Sequence, residues 1–570
     1  MSGIFTATML FVLTFKKSES ITYGREYWYE DARMTLQSRV SGSADARTRS
    51  ARSVVLLVGD GMGLSSITAA RILKGQRLGQ LGEDTNLAWD KFPATALAKT
   101  YNLDGQVGES SACATALMCG VKANLETVGL DGGGKFDNCF SSLTSRVESL
   151  LDWAHRAGKA TGIVTNTRLT HATAAALYAH SASRYWEDDS KVPPESRAAC
   201  KDIARQLVEN SPGNNITVLL GGGRRHWLPK GTRDPEQTEE EGRRLDGRNL
   251  VEDWIRDSKK RGLKAEYVET RERLENVDRM SVDRLLGLFA YSHMEFEADR
   301  DTSPSGDPSL SDMAEAAVSI LQRNNKGFFL FVESGRIDHA HHYNNAYRAL
   351  DETLVLENVL LKLLALVDLT ETLFVVTSDH SNVMTFGGLS TPRGNPILGA
   401  DTKVSDVDGL AYSTLLYGNG PGFSRPRVVP TNQTSVTEER NVVHGAAAPR
   451  QWATHGAEDV PIYAQGPLAS VVFKGVVEQS YVPHAIAYVL CLGEYSKRCK
   501  TLNQTSIRQP QACITQDSSG GQPRGGKALA SSQGMLPDSS AKTLSTLWTS
   551  LLLGFQFVFL FTGQTIGHFR

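Results

Sequence analysis

Three short apolar runs, each followed within two residues by an acid, constrain the fold of this chain more than any other feature of its sequence. The runs are Val54–Val58, Phe328–Val332 and Thr372–Thr377. Polar and apolar residues do not alternate within them, which is typical of strands buried on both faces. Such strands occur in parallel sheets that helices cover on each side. The runs therefore predict an α/β fold with a central sheet.

The acids that follow these runs are Asp60, Glu333 and Asp379. Open α/β sheets place ligands beyond the carboxyl ends of their strands, so these carboxylates should converge if the strands are neighbours. Clustered carboxylates repel one another unless a cation lies between them. The sequence therefore predicts a polynuclear metal site. The turn Gly59–Gly63 lacks the spacing of a dinucleotide-binding loop, and Asp60 within it would repel a phosphate.

The residues after Glu333 strengthen the metal prediction. If a helix begins near Arg336, Asp338 and His342 stand four residues apart and share one face. An Asp and a His on one face, close to a strand-end Glu, are suitable ligands for a divalent metal such as zinc. The alternative interpretation is a solvated, histidine-rich loop.

Length and composition narrow the classes of protein. The chain has 570 residues, enough for one large domain with insertions or for several domains. The formal net charge of -2 gives no reason to expect a nucleic acid partner. The seven cysteines are too few for a disulfide scaffold, and none forms a CxxC pair, so a zinc ribbon is not expected.

Both ends of the chain have features of processing signals. Residues 1–20 contain a short apolar run and are interpreted as a signal peptide. Residues 21–50 are polar with a mild helical pattern and are interpreted as an N-terminal arm. Residues 501–540 read as a flexible stalk, and residues 541–570 as a signal for a glycosylphosphatidylinositol (GPI) anchor that is removed on processing. A C-terminal transmembrane helix is the alternative for this tail.

These two ends together predict a protein on the extracellular face of the plasma membrane. Disulfides are then plausible, as are glycans at the sequons of Asn215, Asn432 and Asn503. Residues 230–305 are charged, with helical patches and no clear strand ladder, and are interpreted as an insertion. Residues 387–454 are rich in Gly, Pro, Asn and Thr and are interpreted as a second, loop-rich insertion.

Ser110 is a candidate nucleophile. It lies at a predicted helix start within the small-residue-rich segment Gly105–Gly120. Helix N-termini favour negative charge, which lowers the cost of an alkoxide. A helix-capping serine is the alternative role. The segment Gly108–Ala112 does not match the G-x-S-x-G pattern of serine hydrolases, and the sequence has no C-x-P-x-R context of a sulfatase.

A series of ordered blocks gives the chain a resemblance to a known family. The blocks are GDGMG, ARILKGQ, ESSACATALMCGVK, TRLTHAT, SRYW, GGGRR, LDGRNL, GFFLFVESGRIDHAHH, TSDHSNV, LLYGNGPG and THGAEDV. From about Glu26 to Cys499 the chain resembles the animal alkaline phosphatases. The resemblance implies a three-layer α/β sandwich with a central, mostly parallel sheet. It also implies a catalytic domain at 51–500, with a loop-rich crown at 387–454, in a homodimer that hydrolyses phosphate monoesters with broad specificity through a phosphoserine.

The resemblance also implies two zinc ions and one magnesium ion. The implied ligands are Asp338, His342 and His455 for the first zinc, Asp60, Asp379 and His380 for the second, and Asp60, Thr173 and Glu333 for magnesium. Ser110 would be the nucleophile, Arg184 would bind the phosphate, and His171 would lie near the magnesium. The implied disulfides are Cys139–Cys200 and Cys491–Cys499, with Cys119 as a buried free thiol.

The chain departs from the family pattern near the nucleophile. Glu109 stands where the family has an Asp that orients the arginine, so its longer side chain is expected to alter the placement of Arg184. Cys113 replaces a Thr or Ser, and Asn382 replaces a His near the second zinc. Because of Glu109, the alternative function is a catalytically weakened, membrane-anchored binding protein that keeps the phosphatase fold.

A calcium site of some family members is also incomplete here. Glu236 and Asp307 match two of its acidic ligands, and Phe289 matches a carbonyl ligand. Ala290 replaces the remaining acid, and two extra residues lie near Ser305. Calcium is therefore expected to bind weakly.

Overall fold

The computed structural model describes residues 23–388, 391–429 and 440–499. The segments interpreted as signal peptide, stalk and anchor signal lie outside these residues, as do Asn432 and Asn503. Within the described part of the chain, no helix is both long and apolar enough to cross a bilayer.

A ten-stranded sheet forms the centre of the fold. The described strands are, in chain order, β1 (Ser53–Gly59), β2 (Ala94–Lys99), β3 (Ala160–Arg168), β4 (Val218–Gly222), β5 (Ala265–Val268), β6 (Arg284–Leu288), β7 (Phe328–Ser334), β8 (Thr372–Thr377), β9 (Ser381–Asn382), β10 (Met384–Phe386), β11 (Ala400–Val404), β12 (Ala411–Ser413), β13 (Leu415–Tyr417), β14 (His455–Gly456), β15 (Val460–Gln465) and β16 (Gly475–Glu478). The order in the central sheet is β16-β2-β15-β8-β1-β7-β3-β4-β6-β5. Only the pairs that involve β15 are antiparallel, so the expected mostly parallel sheet is confirmed.

The three apolar runs that the sequence singles out are β1, β7 and β8, and they are neighbours in the middle of this sheet. Val58 of β1 lies opposite both Glu333 of β7 and Thr377 of β8. The three strands therefore end at the same level, and Asp60, Glu333 and Asp379 meet at one edge. This convergence is what the strand-end acids predict.

Helices cover both faces of the sheet. The main described α-helices are α1 (Arg25–Val40), α2 (Asp45–Thr48), α3 (Leu64–Arg77), α4 (Ser110–Cys119), α5 (Cys139–Thr144), α6 (Leu150–Arg156), α7 (Ala172–Ala175), α8 (Ile203–Glu209), α9 (Leu250–Lys260), α10 (Arg271–Glu275), α11 (Leu310–Leu321), α12 (Arg336–His342), α13 (Ala346–Leu366), α14 (Ala469–Val472) and α15 (Tyr481–Leu490). Helices α1, α4 and α15 contribute to one hydrophobic core, and α3, α11 and α13 contribute to the other.

Strand β1 shows why the fold has three layers. Its residues Val54, Leu56 and Val58 face the first core, whereas Val55 and Leu57 face the second. All five side chains are fully buried. Burying each one contributes about 1.5–3 kcal/mol, so apolar residues are favoured at every position of the strand. The continuous apolar pattern is thus the direct result of helices on both faces.

Residues 230–305 contain two strands, so the expectation of no strand ladder in this segment is wrong. Strands β6 and β5 extend the central sheet at one end. Both are short and lie among charged residues, which obscures the apolar pattern. Strand β6 begins with Arg284, whose guanidinium lies 4.7 Å from the centroid of the Trp254 ring, so the cation is accommodated at a buried position.

The described parts of residues 387–454 contain only short strands, which lie outside the central sheet. Strand β11 pairs with β12, and β13 pairs with β10. Strands β12 and β13 are separated by a single residue. Thr414 separates them, and its N–H donates to the Gly399 carbonyl (3.1 Å) instead of continuing either ladder.

Candidate metal centre and nucleophile

Four clusters of carboxylate and imidazole groups lie where the central strands end. Within each cluster, one ligand atom from every residue lies within 4.8 Å of the others. Among the described residues the clusters are Asp338–His342–His455, Asp60–Asp338–His380, Asp60–His171–Glu333 and His171–His293–His339. The first three contain most of the residues predicted from the sequence to bind metal.

Helix α12 positions the first cluster, and it begins at Arg336 as the sequence predicts. Asp338 Oδ2 lies 2.9 Å from His342 Nε2, and Asp338 Oδ1 lies 3.6 Å from His455 Nε2. Backbone carbonyls hold the other ring nitrogens, because His342 Nδ1 donates to Ala453 O (2.6 Å) and His455 Nδ1 donates to Gly108 O (2.8 Å). Both Nε2 atoms therefore face one space, which is how proteins orient metal-binding histidines.

Asp60, Asp379 and His380 surround a second position, beside Ser110. His380 Nε2 lies 3.5 Å from Asp60 Oδ1, 3.3 Å from Asp379 Oδ2 and 3.1 Å from the Ser110 hydroxyl oxygen. Asp60 Oδ1 and Asp379 Oδ2 are buried and have no hydrogen-bond partner among the described residues. Burial, together with the charge of Asp338, raises the pKa of Asp379 to about 8. Two buried, unpartnered carboxylate oxygens beside an imidazole are the expected surroundings of a cation.

Glu333 and Asp60 define a third position on the other side of β1. Thr165 donates to Glu333 Oε2 (2.6 Å), as does Thr167 (3.2 Å), whereas Glu333 Oε1 is buried and has no hydrogen-bond partner in the described ranges 23–388, 391–429 and 440–499. Thr173 donates to Asp60 Oδ2 at 3.4 Å. The two β3 threonines were not predicted from the sequence. Their spacing of two residues, which puts both side chains on one face of a strand, is the signal that would have indicated them.

Helix α4 begins at Ser110, and Glu109 caps its N-terminus. The Glu109 carboxylate accepts from the Ser111 N–H (3.0 Å), the Ser111 hydroxyl (2.6 Å) and the Glu126 N–H (2.9 Å), and it forms an ion pair with Arg184. Although burial opposes it, the charge of Arg184 lowers the pKa of Glu109 to about 2. The longer side chain thus folds back onto the helix and keeps its contact with the arginine.

Asn382 and Cys113, the other departures near the site, have different surroundings. Asn382 Nδ2 donates to Asp338 Oδ1 at 2.8 Å, so the amide supports a carboxylate of the first cluster. The Asn382 amide can lie this close to the backbone of the β1 turn only because residue 61 is a glycine, since a Cβ there would lie 2.3 Å from Asn382 Nδ2. Cys113, which is part of α4, is buried, and its Sγ donates to the Thr100 carbonyl at 3.2 Å. Cys113 therefore contributes to packing and Asn382 to the site.

The fourth cluster contains a residue that sequence reasoning missed. His293 follows β6, and its ring centroid lies 5.1 Å from that of His171 and 4.3 Å from that of His339. Burial lowers the pKa of all three imidazoles well below 6.5, so the rings are neutral. A histidine just beyond a strand of the central sheet would have indicated a site residue, but only if β6 had been predicted as a strand.

One of the residues matched to a calcium site, Glu236, is paired with an arginine. Arg224 contacts both carboxylate oxygens of Asp234 at 2.8 Å and Glu236 Oε2 at 2.5 Å. The guanidinium thus pairs with the carboxylate of Glu236 as well as with that of Asp234, and Ala290 supplies no carboxylate. Burial raises the pKa of Asp307 to about 7, so this carboxyl group is itself only partly ionised near neutral pH.

Calcium is therefore expected to leave the thermal stability of the protein unchanged. Millimolar calcium should shift Tm by less than about 1 °C, because a ligand stabilises a fold only when it binds the native state. The Ala290→Glu variant supplies the missing carboxylate and should show a larger, calcium-dependent increase in Tm. Differential scanning fluorimetry of both proteins with and without calcium is the measurement. A clear stabilisation of the parent by calcium would contradict this prediction.

The two predicted disulfides are both present. Cys139 is bonded to Cys200, and Cys491 is bonded to Cys499. Cys119 is a buried free thiol, as the resemblance implies. Asn215, the one sequon within the described residues, accepts from Arg261 at 2.8 Å through its Oδ1 atom. Its glycosylation stays a prediction.

The fold and the site together define an α/β sandwich protein with candidate metal clusters beside a serine at a helix N-terminus. A family model described as alkaline phosphatase matches residues 51–492, so the chain belongs to the alkaline phosphatase family. It is accordingly a phosphoric monoester hydrolase.

Similar proteins support this assignment. The tissue-nonspecific isozyme of alkaline phosphatase from Gallus gallus is 46% identical over 498 residues, which cover 86% of this chain and 93% of the relative. The corresponding isozyme from Homo sapiens is 44% identical over 482 residues, covering 83% and 90%. The solved structure of Thermus thermophilus alkaline phosphatase has a TM-score of 0.54 at 24% identity, covering 82% of this chain and 99% of that one. The last comparison shows the shared fold.

Proposed function

We propose that this protein hydrolyses phosphate monoesters with broad specificity through a phosphoserine formed on Ser110, with two zinc ions and one magnesium ion as cofactors. The observation that carries the proposal is a set of three buried carboxylate oxygens at the sheet edge, Asp60 Oδ1, Asp379 Oδ2 and Glu333 Oε1, which have no hydrogen-bond partner within the part of the chain that the structure describes. Such groups are costly to bury unless cations neutralise them.

The types of side chain in the clusters are suitable ligands for these metals. Asp338, His342 and His455 offer one carboxylate and two imidazoles, and Asp60, Asp379 and His380 offer two carboxylates and one imidazole, which are ligand sets for zinc. Asp60, Glu333 and Thr173 offer oxygen atoms, which magnesium prefers. When bound, the metals would supply Lewis-acid stabilisation of the oxygen charges.

The protein's own groups position the reacting atoms. Ser110 lies at the N-terminus of the ten-residue helix α4, where the helix dipole favours the negative charge of an alkoxide. Its oxygen attacks phosphorus, and the ester oxygen leaves. Arg184 donates in a planar fork to the oxygens of the phosphoryl group, while Glu109 holds this guanidinium in place. Water then displaces phosphate from Ser110. Few of these groups contact the leaving alcohol, which favours broad specificity.

The Glu109→Asp variant distinguishes this enzyme from a weakened binding protein. We expect the metal-loaded parent to hydrolyse p-nitrophenyl phosphate and Glu109→Asp to lie within about tenfold of it in kcat/KM, because either carboxylate neutralises Arg184. Glu109→Ala should lose about 100-fold, since it leaves a buried arginine unpaired and removes the helix cap. Steady-state kinetics across pH are the measurement. An inactive parent with an active Glu109→Asp variant would make the binding protein the leading function.

We also propose a homodimer held at the extracellular face of the plasma membrane by a GPI anchor. The two disulfides support an oxidising compartment. The anchor proposal rests on the C-terminal sequence pattern, and the dimer proposal rests on the family resemblance. Release from cells by a phosphatidylinositol-specific phospholipase C would support the anchor, whereas retention would favour a transmembrane tail. Light scattering of the released protein measures its oligomeric state.

A further inference from the structure

Glu126, a turn residue between α4 and α5, has an unusual backbone conformation. Its φ angle is 61°, in the left-handed region that favours glycine. A residue with a Cβ persists there only when the surrounding contacts hold it, so the contacts of Glu126 indicate its role. The Glu126 N–H donates to Glu109 Oε2 at 2.9 Å, and the Glu126 carbonyl accepts from the Arg184 N–H at 2.8 Å. The backbone of this turn therefore connects the two residues of the ion pair beside Ser110.

The side chain of Glu126 adds a third contact to the same region. The Tyr185 hydroxyl donates to Glu126 Oε1 at 2.6 Å. Tyr185 directly follows Arg184, so the backbone of one residue and the side chain of the next both contact Glu126. The Tyr185 ring is 52% exposed, but the Phe136 ring lies almost perpendicular to it, with the centroids 6.2 Å apart. A short hydrogen bond to a carboxylate and an aromatic contact therefore fix the orientation of a half-exposed tyrosine.

The Tyr185 hydroxyl remains a donor at neutral and at moderately alkaline pH. Burial, together with the hydrogen bond to Glu126, raises the pKa of Tyr185 to about 12. The phenol is therefore protonated throughout this range, and its contact with the Glu126 carboxylate persists. Because the protonation of the phenol does not change, the contact has a constant effect on the neighbouring residues.

These contacts reach the guanidinium of Arg184 through Glu109. The Glu109 carboxylate forms the ion pair with Arg184. It also accepts from the N–H and hydroxyl groups of Ser111 on one side and from the Glu126 N–H on the other. If Glu126 moved, the carboxylate would lose one of these donors, and the guanidinium would lose the fixed position of its partner. Two-point binding of a phosphoryl group requires the guanidinium in one orientation, so such a movement would weaken it.

We propose that Tyr185 and Glu126 are positioning residues for the binding of phosphate by Arg184. The hydrogen bond between their side chains keeps Glu126 in its left-handed conformation, and Glu126 in turn orients Glu109 and the guanidinium. Both residues act through Arg184 and not on the reacting atoms. The proposal rests on the proposed function, in which Arg184 binds the oxygens of the phosphoryl group.

Isothermal titration calorimetry of inorganic phosphate with the full-length, metal-loaded Tyr185→Phe variant tests the proposal. The variant removes only the hydroxyl group, so the charge and the packing of the ring are kept. We expect phosphate to bind about fivefold more weakly than to the parent, with an unchanged metal content per chain by atomic absorption. An unchanged affinity would overturn the proposal. A loss of bound metal would also overturn it, because the weaker binding would then arise at the metal clusters.

Tyr27→Phe is the matched control. Tyr27 is 49% exposed, close to the exposure of Tyr185, and within the described part of the chain its hydroxyl has no hydrogen-bond partner. The affinity of Tyr27→Phe for phosphate should equal that of the parent. An equal loss of affinity in both variants would show that the loss of any exposed tyrosine hydroxyl has this effect, and it would refute a specific role for Tyr185.

A second variant tests the hydrogen bond itself. Glu126→Gly removes the carboxylate, and glycine adopts a φ of 61° without strain, so the backbone contacts of the turn are kept. When Tyr185→Phe is added to Glu126→Gly, the affinity for phosphate should change by less than about twofold, because the hydrogen bond is already absent. A further loss of about fivefold would show that the two side chains act independently and would refute the proposal.

Hydrolysis of p-nitrophenyl phosphate by the same preparations separates this proposal from the proposed function. A parent that binds phosphate but does not hydrolyse the ester would contradict the proposed function, while the affinities for phosphate would still decide the role of Tyr185. An active parent whose affinity equals that of Tyr185→Phe would contradict the positioning role alone. The absence of phosphate binding by the parent up to about 10 mM would contradict both.

Discussion

The Ser110→Ala variant is expected to lose phosphatase activity almost completely, with kcat/KM for p-nitrophenyl phosphate lower by about 10⁴-fold or more. Ser110 provides the hydroxyl oxygen at the start of α4, 3.1 Å from His380 Nε2. Without it, no covalent phosphoryl intermediate can form on the chain. Steady-state kinetics give the loss, and mass spectrometry of acid-quenched protein should show a phosphorylated Ser110 in the parent alone.

Ser111→Ala is the control for this prediction. Ser111 follows on the same helix, and its hydroxyl donates to Glu109 at 2.6 Å instead of facing the metal clusters. Its removal should lower kcat/KM by about tenfold or less, because it costs one hydrogen bond to a carboxylate that has others. If Ser110→Ala and Ser111→Ala had similar activity, Ser110 would not be the nucleophile.

Asp60→Asn is expected to have the second-largest effect, a loss of about 10³-fold in kcat/KM together with a loss of bound metal. Asp60 belongs to two of the clusters, with His380 on one side and Glu333 on the other. Its carboxylate is therefore the proposed bridge between a zinc and the magnesium. Atomic absorption of the purified protein measures the metal content per chain and gives a readout besides activity. Full metal content in Asp60→Asn would rule out the bridging role.

The effect of metal chelation on Tm tests the role of the Asp60 carboxylate independently of activity. Removing the metals should lower Tm of the parent by about 10 °C or more, since cations that bind only the native state stabilise it. The drop should be smaller in Asp60→Asn, because one of the mutually repelling buried carboxylates is absent. Asp368→Asn changes an exposed residue of the same type and should behave as the parent does. Equal chelation effects in the parent and Asp60→Asn would contradict the repulsion argument.

The sequence predicted the centre of the fold and the metal-binding edge because both depend on short-range patterns. Continuous apolar runs indicate β1, β7 and β8, and the general rule for parallel sheets brings Asp60, Glu333 and Asp379 together. The helical spacing of Asp338 and His342 predicted α12 in the same way. The assignment of His455 came from the family resemblance, since no local pattern connects it with α12.

The features that were not predicted depend on the path of the backbone. The contact between Asn382 and Asp338 requires Gly61 between them, and no spacing rule expresses this. The family resemblance shows that Glu109 replaces an Asp, but it does not show where the longer side chain lies. In the structure its carboxylate accepts from the N–H groups of Ser111, in α4, and of Glu126. His293 was missed because β6 was taken as part of a strandless insertion.

The position of the clusters at the ends of β1, β7 and β8 has a consequence for how the chain folds. Gly61 contacts Asp379 across 318 residues of sequence, and Ser53 contacts Phe328 across 275. Contacts so distant in sequence carry a large loop-closure entropy and form slowly. A high-affinity metal position therefore exists only after the middle of the sheet has assembled. Metal uptake during biosynthesis would then mark a late event, so that a chain holding its full complement of ions has already acquired its native topology.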